Sequence, residues 1–300
     1  MSEKAISGRK NKIRIPLGER IFYHADNVLM VLLCVIILVP LLHVVMGSLS
    51  DGQRYMTHQG LLLWPLEANL ESYKAVISNH NIWSGYRNTI FIVAVGTALN
   101  VLFSIIAAYV LSRKEYMLKR FFNLLVVFSM YFNGGMIPTF LVVQGVGLYN
   151  SIWAVIIPGL INVFNLVIIR TAMLGVPDSL VESAELDGAG HLTILFRIIT
   201  PLIKSTVAVI CLYYAVAHWN SWFNAALYLK KREMYPLQLI LREIIIQNDL
   251  SASAGGDESF YMSETIQFAT IVVATLPILC IYPFIQKYFV KGVMVGAVKG

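Results

Sequence analysis

The chain has 300 residues, of which 23 are Lys or Arg and 17 Asp or Glu, so charge makes up 13% of the sequence against 57% hydrophobic residues. Soluble domains need about 25% charge to cover their surface, and disordered chains are far less apolar. A mean hydropathy of +0.69 therefore excludes an ordinary soluble enzyme and makes lipid the solvent, and the net charge of +6 belongs in cytoplasmic loops rather than in a nucleic-acid groove.

In chain order, six runs contain no Asp, Glu, Lys or Arg: 28–46, 89–111, 121–143, 152–169, 205–229 and 265–286. A helix needs about 20 residues to cross the hydrocarbon core. Helices are required because lipid cannot satisfy an open backbone, and the runs lack the alternation of a membrane barrel. The first run is too long for a signal peptide's apolar region and no small-x-small site follows it, so it reads as an uncleaved span. The expected fold is an all-α polytopic membrane protein with six transmembrane helices.

The basic residues orient these spans. The tail 1–27 carries Lys4, Arg9, Lys10, Lys12, Arg14 and Arg20. The loop 112–120 holds Arg113, Lys114, Lys119 and Arg120, whereas the loop 144–151 has no charge. The chain ends with Lys287, Lys291 and Lys299. Short basic loops stay in the cytoplasm, which places both termini inside. The long external stretches 47–88 and 230–264 count less in this rule. Within them, 69–79 reads as a short helix capped by Asn69 with Glu71 in its first turn. The run 251–259 is small, polar and flexible in composition. The organisation is then a tail 1–27, a six-helix domain 28–290 and a tail 291–300. Cys34, Cys211 and Cys280 lie in apolar runs without metal or disulfide spacing, and read as buried inert thiols.

The most informative stretch is the cytoplasmic loop 177–201. Pro177 suits a first helical turn, with Asp178 favourable at that end. Gly188 and Gly190 end a short helix and permit a bend. A second helix starts near His191, with Leu192, Leu195, Phe196 and Ile199 on one apolar face. Pro201 opens the next span. Glu182, Glu185 and Asp187 surround the bend. Composition leaves two readings open: a helix pair lying on the bilayer, or an acidic docking element for a basic protein partner.

The stretch resembles the EAA loop of permease subunits in bacterial ABC importers. The family pattern is Glu-Ala-Ala, three residues, Gly, nine residues, Ile-x-x-Pro. Glu182, Ala184, Gly188, Ile198 and Pro201 meet it; Ser183 and Thr200 depart from it by small changes. Asp187-Gly188-Ala189 and the ending around Phe196 are similar to the carbohydrate-uptake, maltose-type branch. Asn133–Thr139, Gly147–Trp153, Trp219–Trp222 and Tyr235–Leu239 resemble the oligosaccharide and aldouronate permease subgroup. The end, Lys291 to Gly300, resembles the C-terminus of the maltose transporter's smaller permease.

The resemblance implies a type I ABC importer permease fold, N-in and C-in, in a bacterial cytoplasmic membrane. It implies as partners a second homologous permease, a dimer of ATP-binding subunits and an extracytoplasmic binding protein that delivers a carbohydrate. ATP and Mg would sit on the ATPase partner, because the chain has no G-x-x-x-x-G-K-[ST] loop. The chain is thus expected to be a transport subunit, not an enzyme, with no cofactor or metal of its own. Glu182, Ala184, Glu185, Asp187, Gly188 and Gly190 are implied to couple to the ATPase, Glu182 and Asp187 by charge, Ala184 and Gly188 by allowing close approach. The terminal tail is implied to reach the ATPase pair.

Sugars need aromatic faces and directional hydrogen bonds. Polar residues at membrane depth that could line a path are Asn133, Asn162, Asn165, Tyr213, Tyr214, His218, Trp219, Asn220, Trp222 and Asn224. Helix glue and interfacial anchoring are competing roles for each. Asn133-Gly134-Gly135 with Pro138 interrupts the third span, which places it in the interior. The same machine for amino acids or an oxyanion is an alternative. A secondary transporter would call for buried ionisable residues, and no acidic residue lies in any of the six runs.

Overall fold

The computed structural model describes residues 16–113, 118–253 and 261–297. Most of the basic N-terminal tail, Lys114, the run 254–260 and residues 298–300 lie outside the described residues. Every regular element among the described residues is helical, as a chain without water for its backbone requires.

The first run forms α1 (Leu17–Ser48), eleven residues longer at its start than the run alone. Most of α1 is exposed; Gly47 and Ser48 at its external end are buried. Two short external helices follow. In α2 (Gly52–Thr57) the Asp51 carboxylate accepts from the N–H groups of Gln53 and Arg54. In α3 (Glu71–Ser78) the cap position falls on Leu70, without a side-chain cap bond, one residue later than expected; Asn69 Oδ1 still accepts from Glu71 N–H at 3.2 Å. Both are fastened to span ends, α3 by Ser72 donating to Thr265 at 2.9 Å.

The second span is continuous over His80–Ser112. It consists of α4 (His80–Phe91), a π turn (Ile92–Gly96) and α5 (Thr97–Ser112). The third, fourth and fifth runs are not single helices. α6 (Lys119–Tyr131) and α7 (Met136–Gly145) meet at 115°. α8 (Trp153–Ile156) runs through a 3-10 turn to Gly159 and meets α9 (Val163–Leu174) at 49°.

After the cytoplasmic α10 (Asp178–Leu186), one stretch winds through α11 (His191–Thr193), a π turn (Ile194–Ile199) and α12 (Thr200–Leu202). It turns by 89° into α13 (Lys204–Trp219). Pro201 thus lies in the last turn of the surface stretch, and the span begins at Lys204. The run 205–229 is split at Asn220–Trp222, after which come α14 (Phe223–Tyr228) and α15 (Leu237–Ser253). The last helix, α16 (Tyr261–Ala297), continues the sixth span through most of the expected C-terminal tail. Among the described residues three helices are long and apolar enough to cross a membrane unbroken, and counting each of the three bent pairs as one span gives up to six.

The main core joins α5, α9, α10, the 191–202 stretch and α13. Ala108, Ile169, Ile194, Ile199 and Ile210 are fully buried in it. The three cysteines are exposed on the chain's own surface, contrary to the buried reading. An apolar run in lipid has an outer face as apolar as its inner one, so an apolar setting does not report burial here.

A polar seam crosses the bundle where the fourth span breaks. Asn100 is fully buried, and its Nδ2 donates to the carbonyls of Gly159 at 2.7 Å and Leu160 at 2.8 Å. Its Oδ1 is left to accept from His218 Nε2 at 2.7 Å. Gly96 makes room for that imidazole, because a Cβ there would stand 2.6 Å from Nε2. One helical turn along, the Tyr214 hydroxyl pairs with Ser104 at 2.7 Å and accepts from Asn162 N–H at 3.0 Å. Freed backbone groups of a broken helix are thereby satisfied from α5 and α13. Replacing Asn100 by Leu removes three partners at once. The expected loss is about 1–3 kcal/mol, read as a lower midpoint in detergent unfolding; an unchanged midpoint would show that the seam contributes nothing.

Candidate functional site

The cytoplasmic loop folds as a helix, a tight stop and a second helix. α10 starts after Pro177, which serves as its cap rather than its first helical residue. It ends in a Schellman arrangement. Ala189 N–H donates to Ala184 O at 2.9 Å and Gly188 N–H to Glu185 O at 3.0 Å. Gly188 sits at φ +78°, a conformation that side-chain-bearing residues adopt only with strain. The bend is therefore set by one residue.

The two faces of α10 differ. Val181 and Ala184 are buried in the main core with Tyr109, Ile194 and Leu195. Glu182, Glu185, Asp187, Gly188 and Gly190 are exposed. Ala184 thus faces the core, where its small size lets α10 sit close. Beside the acids, Leu186 is 89% exposed and Leu192 69%. A bare leucine between carboxylates on a cytoplasmic knob is costly in water and favourable against a protein surface.

The second helix differs from the predicted apolar face. Leu195 and Ile199 are buried as expected, but Leu192 and Phe196 are exposed and Ile194 takes the inner position. The π turn at 194–199 is the reason. It widens the winding, and Thr200 Oγ1 reaches Leu195 O at 2.8 Å, five residues back. A 3.6-residue period therefore assigns the wrong neighbours there.

The knob is fixed to the spans by polar contacts as well as packing. Tyr109 at the end of α5 hydrogen-bonds His191 Nδ1 at 3.3 Å and carries the Arg113 guanidinium 4.8 Å above its ring. Arg170 Nε donates to Leu111 O at 3.1 Å, capping α5. Between α5 and the knob lies a cavity of about 470 Å³, edged by Arg113, Asp178, Glu182, Glu185 and His191. Packing and these contacts tie the knob to α5, α9 and α13.

The path candidates divide into two groups. Asn133, Asn162, Tyr213, Asn220 and Asn224 are exposed, while Asn165, Tyr214 and Trp219 are buried. Tyr214 belongs to the polar seam, and Asn162 and Asn133 also cap helices. Asn162 Oδ1 accepts from Asn165 N–H at 3.1 Å, and Asn133 Oδ1 from Gly135 N–H at 3.0 Å. Trp222 is half-buried against Val155, Ile156 and Ala225. Residues 132–135 and most of 157–162 are exposed on the chain's surface. Lipid cannot meet broken backbone. The exposed break at 132–135 therefore calls for protein or water over it, whereas at the fourth span the carbonyls of Gly159 and Leu160 and the N–H of Asn162 already have partners on α5 and α13.

Sequence reasoning passed over Asn100, Ser104, Leu186 and Arg242. For Asn100 the signal was present, as an amide within an apolar run. The surface role of Leu186 depends on the end of α10, which composition does not display.

The family described as the inner membrane component of binding-protein-dependent transport systems matches residues 100–295. The chain is 40% identical to the polygalacturonan/rhamnogalacturonan transport system permease protein YtcP of Bacillus subtilis, over 90% of this chain and 94% of that one. It is 26% identical to the arabinooligosaccharides transport system permease protein AraQ of Halalkalibacterium halodurans, over 87% and 91%. A crystal structure of a bacterial ABC transporter that imports the acidic polysaccharide alginate contains a chain of the same fold. It has a TM-score of 0.84 and 32% identity, covering 92% of this chain and 99% of that one.

Substituting Gly188 by Ala should strain the stop by about 1–2 kcal/mol and loosen the knob's aim. Leu186→Asp should leave the fold intact, since the residue is exposed. Pull-down of ATP-binding subunits from membranes carrying each variant should fall several-fold for Leu186→Asp; undiminished capture would remove Leu186 from the contact face.

Proposed function

The chain belongs to the family of inner membrane components of binding-protein-dependent transport systems, and on that footing we propose that it forms one half of a path for oligosaccharides, acidic ones first among them. The observation that carries this reading is the close kinship, at 40% identity over nearly the full length, to a permease for polygalacturonan and rhamnogalacturonan. The likeness to an alginate importer supports the same substrate class.

The energy enters from outside the chain. A dimer of ATP-binding subunits holds ATP and Mg and receives the acidic knob of α10, with Glu182, Glu185 and Asp187 facing its basic residues and Leu186 its apolar ones. A second, homologous permease covers the face that carries the broken spans. An extracytoplasmic binding protein presents the sugar to the external end.

The geometry supports a mechanical account. α10 is keyed into the core that includes α5, α9 and α13, so closure of the ATPases drives the cytoplasmic ends of the second, fourth and fifth spans as one body. The breaks in the third and fourth spans let the outer halves take another direction. The exposed amides Asn133, Asn162 and Asn220 and the Tyr213 ring offer sugar hydroxyls donors and acceptors without fixed charge.

Reconstitution of the full complex in proteoliposomes tests the reading. ATP-dependent uptake of oligosaccharides, dependent on the binding protein, is the expected result, and Gly188→Pro should keep ATP hydrolysis while lowering uptake. A complex that imports amino acids or oxyanions but no saccharide would refute it.

A further inference from the structure

We propose that Arg242, stacked on Trp222, reads a carboxylate of the saccharide at the external mouth of the path; this rests on the acidic-oligosaccharide reading above. The Arg242 Cζ lies 3.6 Å from the Trp222 ring centroid, and Arg242 is exposed. Its neighbour on α15, Glu243, is paired with Arg232 at 3.1 Å. No ion pair to Arg242 forms among the residues whose side chains the structure describes. Among those residues, its charge is held in place by the indole and is not neutralised by a carboxylate.

The stack is suited to this task. A guanidinium lying on an indole face has that side blocked, and its in-plane N–H donors point outward. Those donors match a carboxylate in the two-pronged manner that an ammonium cannot. Stacking also fixes a side chain that would otherwise lose considerable rotamer freedom on binding.

The location suits it as well. Trp222 stands at the start of α14, just past the end of α13, and packs against the cluster that includes Val155 and Ile156 of α8. From α8 the chain runs directly into the bend at 157–162, most of whose residues are exposed. Through Trp222 and the cluster that holds Val155 and Ile156, the cation therefore neighbours the bend of the fourth span. A second cation–aromatic pair flanks the other end of α14, where Lys230 Nζ lies 5.3 Å from the Tyr149 ring. The positive-inside rule disfavours cations in short external loops, and a long loop is free to keep them for a ligand.

The experiment uses the complete complex, with both permeases, ATPases and binding protein, in proteoliposomes. The probe is trigalacturonic acid. Arg242→Gln should lower its uptake at sub-saturating concentration by at least about tenfold, and Arg242→Lys should recover part of the loss. Raising ionic strength should weaken wild-type uptake more than that of Arg242→Gln. The concentration of loaded binding protein that half-saturates ATPase stimulation should stay unchanged. Wild-type uptake by Arg242→Gln would overturn the assignment. So would a raised half-saturating concentration for loaded and empty binding protein alike, which would place the carboxylate on that protein. A wild-type complex that imports neutral oligosaccharides but not trigalacturonic acid would instead refute the acidic-substrate reading from which the proposal starts.

Discussion

Everything in this chain answers to one rule: inside lipid, a peptide N–H or C=O must find its partner within the protein. Straight helices obey the rule alone. The third and fourth spans do not run straight, and the fifth gives way to a second short helix at its external end. At the fourth span the carbonyls of Gly159 and Leu160 are taken by Asn100, and the N–H of Asn162 by Tyr214. The seam gives the chain a bend at membrane depth without leaving open backbone there. The same rule turns an exposed break into positional information, because the surface carrying it must be hidden from lipid.

The second organising feature is the division of labour along α10. Its inner face belongs to the largest buried cluster among the described residues, and its outer face is exposed. Interiors packed at crystal-like density transmit displacement instead of absorbing it. A push delivered to the outer face therefore arrives at the spans and not at a flexible loop. The hydrogen bond between Tyr109 and His191 and the capping of α5 by Arg170 close the remaining slack.

Much of this was legible in the residues. Charge exclusion marked the six runs, Asn69 announced α3, and Gly188 announced the bend. What escaped had physical causes. Runs of apolar residues record depth and not continuity, so the divided fifth run looked like one span. A 3.6-residue period points Leu192 and Phe196 inward, and the π turn uses another period. Ala184 was read as a contact residue, because a small side chain eases approach on either side of a helix and the pattern cannot say which. The cysteines were placed inside because in water apolar surroundings mean burial, and in lipid they do not. Arg242 drew no notice because its meaning lies in Trp222, twenty residues away in the chain and next to it in space.

The π turn at Ile194–Ile199 has a geometric consequence. Such a turn amounts to one residue more than the α-helix requires over the same length. Each residue of an α-helix advances the winding by about 100°. The surplus residue is therefore an angular setting: it fixes how the acidic knob is rotated about the surface helix relative to the spans beyond Ile203. Chains that share every side chain of the knob but lack that one residue would hold the same acids facing a different direction. On the coupling proposed above, compatibility between a permease and its motor is written partly in the count of residues between the bend and Ile203, and not only in which residues they are.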